Sequence, residues 1–208
     1  MPAPAQPAKS FRHALAASLG SLLLGWWLAG TSLAQTVETD NAVEAGKAQG
    51  LVSRGHAHND YLHQRPLREA LERGFASVEA DIFLQDGQLL IGHTPADLRP
   101  ERTLEGMYLM PLAEWIKHHQ GAVHASGPPL ILLIDIKSDA SGSWEALHPL
   151  LLKYREILSE TVDGKFQPRA VTVIISGNRA IEKILATRPQ LAGVDGRMSD
   201  LTSSLRAD

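Results

Sequence analysis

The sequence predicts an α/β fold with a mostly parallel central sheet. Apolar stretches of strand length alternate with stretches whose apolar residues recur at helical spacing, which is the pattern of repeated strand and helix units. Residues 130–136 are apolar except for Asp135, as expected of a strand covered on both faces in a parallel sheet. Chemically active side chains fall at or near the ends of the strands, the edge where α/β barrels assemble their active sites.

The amino-terminal part of the chain is predicted to lie outside this fold. Lys9 and Arg12 precede a long uncharged apolar stretch that ends in a small-residue cleavage site at Ala34. Residues 1–34 therefore predict a secretory signal peptide, with a retained membrane anchor as the alternative. The polar residues 35–50 predict a linker, and the whole arrangement predicts an exported protein, periplasmic or secreted.

Three strands are predicted in the first half of the remaining chain. Residues 51–54 form a short strand, and residues 77–83 form a second, whose alternation places Glu79 and Asp81 on one face. Residues 89–92 form a return strand after an Asp-Gly turn. Two acidic side chains are thus predicted to share one side of the sheet.

Helices are predicted between and after these strands. Pro66 and Pro111 open the first two, and Ser143 caps a third that reaches residue 158. Asn178 caps a fourth. Each predicted helix follows a predicted strand, as the α/β class requires.

The predicted strands are too few for a closed barrel. With residues 171–175 and 192–195 as the last two, about five core strands lie in residues 51–208. A complete eight-stranded barrel typically needs about 250 residues. Residues 51–208 are therefore predicted to form the amino-terminal part of a barrel that is incomplete at its carboxyl-terminal end.

Composition narrows the choice of ligand and partner. The formal net charge is -3 and no long run of one charge occurs, which argues against a nucleic-acid partner. The chain has no cysteine, so it has neither a disulfide framework nor a thiolate metal site. Any metal ion must be held by oxygen and nitrogen.

Three carboxylates are predicted to converge at the carboxyl edge of the sheet. Glu79 and Asp81 share a face of one strand, and Asp135 lies near the end of the next core strand. Carboxylates brought together repel one another unless a cation neutralises them. Oxygen ligands favour Mg²⁺, or Ca²⁺, over zinc.

Two histidines and a lysine accompany the carboxylates. His56 and His93 each follow a predicted strand, and histidine is the residue that most often moves protons in catalysis. Lys137 follows Asp135 by two positions and supplies a positive charge suited to a phosphate group. The set predicts metal-assisted displacement at phosphorus.

Four segments resemble the glycerophosphodiester phosphodiesterase and phospholipase-C-like superfamily, in particular the branch that includes fungal proteins called altered inheritance of mitochondria protein six. They are Gly-His-Ala-His-Asn-Asp-Tyr over 55–61, Val-Glu-Ala-Asp over 78–81, Gly-His over 92–93 and Ile-Asp-Ile-Lys over 134–137. The resemblance implies a TIM barrel of the phospholipase-C-like type and a phosphoric diester hydrolase.

The resemblance also implies a role for each site residue. These are His56 and His93 as catalytic residues, Asn59, His58 and Lys137 as substrate contacts, and Glu79, Asp81 and Asp135 as ligands of Mg²⁺ or Ca²⁺. The implied partner is a small phosphodiester or a phospholipid headgroup, with transient contact to a membrane surface and no obligate protein partner.

Two departures leave the headgroup open. Where glycerophosphodiesterases usually have His-Arg-Gly and Glu-x-Lys, this chain has His-Ala-His at 56–58 and Asp-x-Lys at 135–137. That arrangement is also similar to the sphingomyelinase D group.

Two other functions are compatible with the sequence. A His-x-His pair after a first strand, as at His56 and His58, also begins the metal site of amidohydrolase-like metallohydrolases. Such enzymes need further histidine ligands on later strands, and no histidine follows His148. The second alternative is a non-catalytic exported module that binds a headgroup. Loss of one of the two histidines or of one acid would favour it, and all of these residues are present.

Overall fold

The structure, a computed structural model, describes residues 50–202. Its strands are β1 (Val52–Ala57), β2 (Phe75–Gln85), β3 (Gln88–Ile91), β4 (Leu130–Ile136), β5 (Glu160–Val162), β6 (Lys165–Gln167), β7 (Val171–Gly177) and β8 (Ala192–Val194). Its α-helices are α1 (Arg68–Glu72), α2 (Met110–His118), α3 (Ala140–Lys153) and α4 (Ile181–Ala186). The predicted α/β class is confirmed.

Six strands form the central sheet, and it is mostly parallel. The pairing order is β1-β2-β4-β7-β8, with every neighbouring pair parallel, and β3 pairs antiparallel with the end of β2. Within residues 50–202, β1 and β8 stand at the two ends of this order, so the pairing does not close on itself there. Barrel closure remains a prediction.

The register of the strands sets the position of the acidic side chains. Asp81 on β2 is the direct neighbour of Asp135 on β4, and Asp135 is in turn the neighbour of Ser176 on β7. Side chains at paired positions point to the same face of a sheet. The pairing therefore places the second and third predicted carboxylates side by side near the carboxyl ends of two adjacent strands.

The hydrophobic core lies on one face of the sheet. On β4, Leu132 and Ile134 are fully buried, together with Val78 and Ala80 on β2. On the opposite face of β4, Ile131 is 39% exposed. The prediction that residues 130–136 are covered on both faces is therefore wrong for the part of the chain that the structure describes, because the side chains on the second face of β4 stay partly exposed there.

Helix starts differ from the predictions where another group takes the capping role. Asp139, rather than Ser143, caps α3, because its carboxylate accepts a hydrogen bond from the backbone N–H of Gly142 at 2.7 Å. Asn178 does not cap α4; its side-chain amide donates to the carbonyl of Ser138 at 2.8 Å. A π-helical turn over Glu105–Leu109 leads directly into α2.

The antiparallel hairpin of β5 and β6 was not predicted. Its turn residues, Asp163 and Gly164, both have positive φ, at 50° and 73°. An Asp-Gly pair is a signal for this kind of tight turn, and the same signal at Asp86 and Gly87 correctly predicts the β2–β3 turn. The flanking strands are only three residues long, too short for a clear alternation of polar and apolar residues.

No helix among residues 50–202 combines the length and apolar character needed to cross a membrane. The predicted signal peptide, residues 1–34, lies outside the described residues, as does the predicted linker, residues 35–50, except for its last residue, Gly50.

Candidate active site

Three carboxylates meet at the carboxyl edge of the sheet. Glu79, Asp81 and Asp135 each offer an oxygen atom, and these atoms lie within 4.8 Å of one another. Glu79 and Asp81 are buried and Asp135 is half-buried. Asp81 Oδ1 and Asp135 Oδ1 are buried and accept no hydrogen bond from the part of the chain that the structure describes. Buried carboxylate oxygens without a donor are costly, so this set fits a divalent cation.

The second oxygen of Asp81 is held by three groups. Asp81 Oδ2 lies 2.8 Å from the Tyr61 hydroxyl, 2.8 Å from His93 Nδ1 and 3.3 Å from Lys137 Nζ. A carboxylate oxygen accepts, so His93 donates from Nδ1, and Nε2 faces away from this hydrogen bond. This arrangement orients the imidazole of His93 next to a metal-ligand candidate.

Glu79 is surrounded by the segment that follows β1. The backbone N–H of Asn59 donates to Glu79 Oε2 at 3.0 Å. The Nε2 atoms of His56 and His58 lie 3.7 Å and 3.5 Å from the same oxygen. His56 is oriented from its other side, because its Nδ1 lies 2.8 Å from Ser77 Oγ.

Lys137 forms the positive side of the carboxylate cluster. Its ammonium lies 3.3 Å from Asp81 Oδ2 and 3.3 Å from Asp135 Oδ1. The contact with Asp135 is an ion pair without hydrogen-bond alignment, which leaves that oxygen short of a donor. Burial lowers the pKa of Lys137, but the two carboxylates outweigh it and the pKa is raised, so the side chain stays charged.

Burial acts on the ionisation of the acids and the tyrosine of the site. It raises the pKa of Asp135 above the ordinary carboxyl value, with Lys137 opposing and Asp81 adding to the shift. Burial, followed by the hydrogen bond to Asp81, also raises the pKa of Tyr61. Tyr61 therefore remains a protonated donor at any physiological pH.

A glycine at the end of β7 makes room for Asp135. Gly177 has φ of 68°, and a Cβ atom there would overlap Asp135 Oδ1 and the backbone of Ile136. The absence of a side chain lets the neighbouring strand approach the carboxylate. Nothing in the sequence pattern alone singled out this position.

The three predicted substrate contacts, Lys137, His58 and Asn59, differ in how they lie relative to the carboxylate cluster. Lys137 lies in the cluster itself, whereas the His58 side chain is 71% exposed. The side-chain oxygen of Asn59 contacts the Tyr61 hydroxyl at 3.0 Å, and its backbone rather than its side chain reaches Glu79. Their roles toward substrate stay predictions.

Tyr61 and Ser77 were missed as site residues. Tyr61 is the last residue of the His-Ala-His-Asn-Asp-Tyr motif, which was the available signal. Its contact with Asp81 joins residues 20 positions apart, so the motif alone did not reveal it. Ser77 reaches His56 only because β1 and β2 pair in parallel with these two residues in register. Strand pairing was the information needed to find Ser77, and the path of the loop after β1 was needed to find Tyr61.

A cavity of about 650 Å³ opens next to Lys137. It is lined by Lys137, Ser138, Asp139, Ala140, Gly177, Asn178, Arg179 and Arg197, which follow β4, β7 and β8. Since these residues lie at or past the carboxyl ends of their strands, the cavity and the carboxylate cluster share one edge of the sheet.

Fold and site together define an α/β protein with an acidic, metal-compatible centre at the carboxyl edge of a parallel sheet. The AIM6-like phosphodiesterase domain matches residues 49–190, and the chain belongs to this family. The predicted resemblance to the altered inheritance of mitochondria branch is thereby confirmed.

Individual relatives support the same assignment. The chain is 32% identical over 171 residues to the altered inheritance of mitochondria protein 6 homolog of Arthroderma benhamiae, covering 71% of this chain and 54% of that protein. It is 33% identical over 149 residues to altered inheritance of mitochondria protein 6 of Eremothecium gossypii, covering 62% and 38%. The chain thus spans about half or less of the length of these relatives. No solved structure matches the chain.

The relatives correct the predicted location. Their names refer to the inheritance of mitochondria, and the prediction of an exported, periplasmic or secreted protein is therefore wrong. The physical reason is that a basic, acid-free amino-terminal segment is shared by more than one kind of targeting signal. Lys9 and Arg12 do not distinguish between them.

Proposed function

We propose that this protein is a divalent-metal-dependent phosphoric diester hydrolase that acts on a glycerophosphodiester or a phospholipid-like substrate. The observation that carries the proposal is the cluster of Glu79, Asp81 and Asp135 within 4.8 Å, with His93 and Lys137 bound to one of its carboxylates. Membership of a phosphodiesterase domain family supports the same reaction class.

The three carboxylates would hold Mg²⁺, or Ca²⁺, and two of them, Asp81 and Asp135, each present an Oδ1 atom that lacks a hydrogen-bond donor among residues 50–202. When bound, such an ion supplies positive charge that stabilises the phosphoryl oxygens as charge develops on them. Lys137 remains charged and adds a second positive group that can contact the phosphate.

The two histidines move protons in this proposal. His93 is fixed at Nδ1 by Asp81, which leaves Nε2 to accept a proton from an attacking hydroxyl or to donate one to the leaving oxygen. His56 is fixed at Nδ1 by Ser77 and directs Nε2 toward Glu79. Because the histidines lie against different carboxylates, they approach the cluster from two sides, as displacement with a separate acid and base requires.

The cavity next to Lys137 supports a small polar headgroup. Its lining includes the side chains of Asn178, Arg179 and Arg197 as well as Lys137. Polar and basic groups suit a hydroxylated or phosphate-bearing headgroup. We also propose that the sheet forms part of a barrel, since the strands are parallel, the helices cover one face and the site lies at the carboxyl edge.

The proposal is tested by hydrolysis of a panel of glycerophosphodiesters, lysophospholipids and phosphoinositides with Mg²⁺, with Ca²⁺ and after complete chelation. We expect release of a phosphomonoester and an alcohol only with metal. His93→Ala should lower the rate by roughly 10² to 10⁴ fold. The matched control is His118→Ala, because His118 is exposed at the end of α2. Full activity after chelation, or equal effects of the two substitutions, would rule the proposal out.

A further inference from the structure

The segment between β1 and α1 is tied to two of the proposed metal ligands at once. Its backbone at Asn59 donates to Glu79, and its Tyr61 hydroxyl lies 2.8 Å from Asp81 Oδ2. The hydroxyl is also 3.0 Å from Asn59 Oδ1, but it has a single proton, and the charged carboxylate is the stronger acceptor. Tyr61 is only 2% exposed, so this bond is shielded from water.

A second set of contacts fixes the segment from behind. Asp60 is fully buried, and its Oδ2 accepts from the backbone N–H of Leu67 at 2.5 Å and from the Tyr108 hydroxyl at 3.0 Å. The guanidinium of Arg102 donates to the backbone carbonyl of Tyr61 at 2.6 Å. The segment is therefore anchored on both sides of the tyrosine.

The backbone of the segment is held in an unfavourable conformation. Leu67 has a positive φ of 61°, which a residue with a Cβ atom seldom adopts, whereas Asn59, at φ 49° and ψ 42°, is in the left-handed region that asparagine adopts more readily than most residues. Such strain persists where surrounding contacts over-determine the conformation, and it concentrates at functional sites. Here the strained residue is Leu67, which ends the segment that carries Tyr61.

We propose that Tyr61 is a positioning residue of the metal centre, and this inference rests on the proposed function. Its hydroxyl, together with His93 and Lys137, fixes Asp81 Oδ2 and leaves Asp81 Oδ1 as the oxygen available to a metal ion. Asp60 and Arg102 hold the tyrosine in place. Hydrogen bonds to a ligating carboxylate typically change metal affinity or activity by about 10 to 100 fold.

The test is direct titration of the full chain with Mn²⁺, comparing the wild type with Tyr61→Phe. The matched control is Tyr154→Phe, which also removes a hydroxyl bonded to a carboxylate, that of Glu105 at 2.9 Å, but outside the site. We expect roughly tenfold weaker Mn²⁺ binding for Tyr61→Phe and no change for Tyr154→Phe, with cooperative unfolding in both. Excess Mn²⁺ should restore part of any activity lost in Tyr61→Phe.

Unchanged Mn²⁺ affinity in Tyr61→Phe, or equal weakening in both variants, would overturn the inference. Failure of the proposed function looks different: the wild type would bind Mn²⁺, Tyr61→Phe would bind it more weakly, and no phosphodiester would be hydrolysed. A wild-type chain that binds no Mn²⁺ would overturn both.

Discussion

At the scale of one residue, the buried charge of Asp135 lowers the stability of the folded protein. Its carboxylate is half-buried beside Asp81 and Glu79, and burial raises its pKa, which means that the ionised form is disfavoured by folding. Lys137 offsets this only in part. A buried charge that costs stability is retained where it serves binding, and we attribute the charge of Asp135 to the binding of a cation.

Asp135→Asn should therefore separate stability from metal binding. Without metal, we expect the variant to be at least as stable as the wild type at neutral pH, because the disfavoured charge is gone. Saturating Mg²⁺ or Ca²⁺ at about 100 times the Kd should stabilise the wild type by about 2.7 kcal/mol, roughly 5–10 °C in Tm, and the variant by far less. Thermal unfolding with and without metal measures both.

The control for this comparison is Asp163→Asn, the same chemical change in the exposed turn between β5 and β6. It should keep the full response to metal. A wild-type Tm that does not respond to divalent cations, or an Asp135→Asn variant that responds equally, would contradict the account.

Residue types and spacing predicted the acidic cluster but not its supporting contacts. Glu79 and Asp81 could be assigned to one face from the two-residue period of a strand, and the structure places them together. The contact between Tyr61 and Asp81 depends on the path of a loop with strained backbone, which no local pattern encodes. Charged residues at strand ends are therefore easier to predict than the neutral donors that orient them.

At the scale of elements, the end of β7 controls how closely the sheet approaches Asp135. Gly177 is the last residue of the strand and has positive φ, and any Cβ there would overlap Asp135 Oδ1. Gly164, in the β5–β6 turn, also has positive φ, but a Cβ there would meet nothing within 4 Å. The two glycines share the backbone requirement and differ only in the space beside them.

Gly164→Ala should cost about 1–2 kcal/mol of unfolding free energy, the usual penalty for alanine in the left-handed region. Gly177→Ala should cost more, and it should also weaken Mn²⁺ binding because Asp135 must move. Urea unfolding and metal titration of the two variants measure the difference. Equal destabilisation with unchanged metal affinity would show that the space beside Gly177 is not needed by the site.

The elements with strong apolar signals were predictable, whereas the short polar β5–β6 hairpin was not. The β4 segment is recognised at its true bounds from an apolar run flanked by Pro129 and Lys137. The β5–β6 hairpin has strands of three residues, in which polar and apolar positions cannot establish a period. The predicted cap of α3 was wrong because both Asp139 and Ser143 are residue types that cap helices, and the sequence does not decide between them.

At the scale of the whole described molecule, the residues of the candidate site lie toward one edge of the sheet. The carboxylates lie on β2 and β4, His93 and Lys137 follow β3 and β4, and the polar cavity opens where β4 and β7 end. The apolar core lies on the other face of the sheet. The order of strands explains this for the residues on β2, β4 and β7, since parallel neighbours bring their carboxyl ends together. His93 arrives differently, because the antiparallel strand β3 returns along β2 and ends beside Asp81. The sequence could predict parallel strands, but their closure into a barrel depends on pairings beyond β1 and β8.

The central claim is that the acidic cluster, rather than the His56–His58 pair, holds a divalent cation. The most direct measurement is a crystal structure with Mn²⁺, in which anomalous scattering locates the ion. The account predicts one strong peak bound by oxygen atoms of Glu79, Asp81 and Asp135. A peak bound by His56 and His58 instead, or no peak at this edge of the sheet, would contradict it.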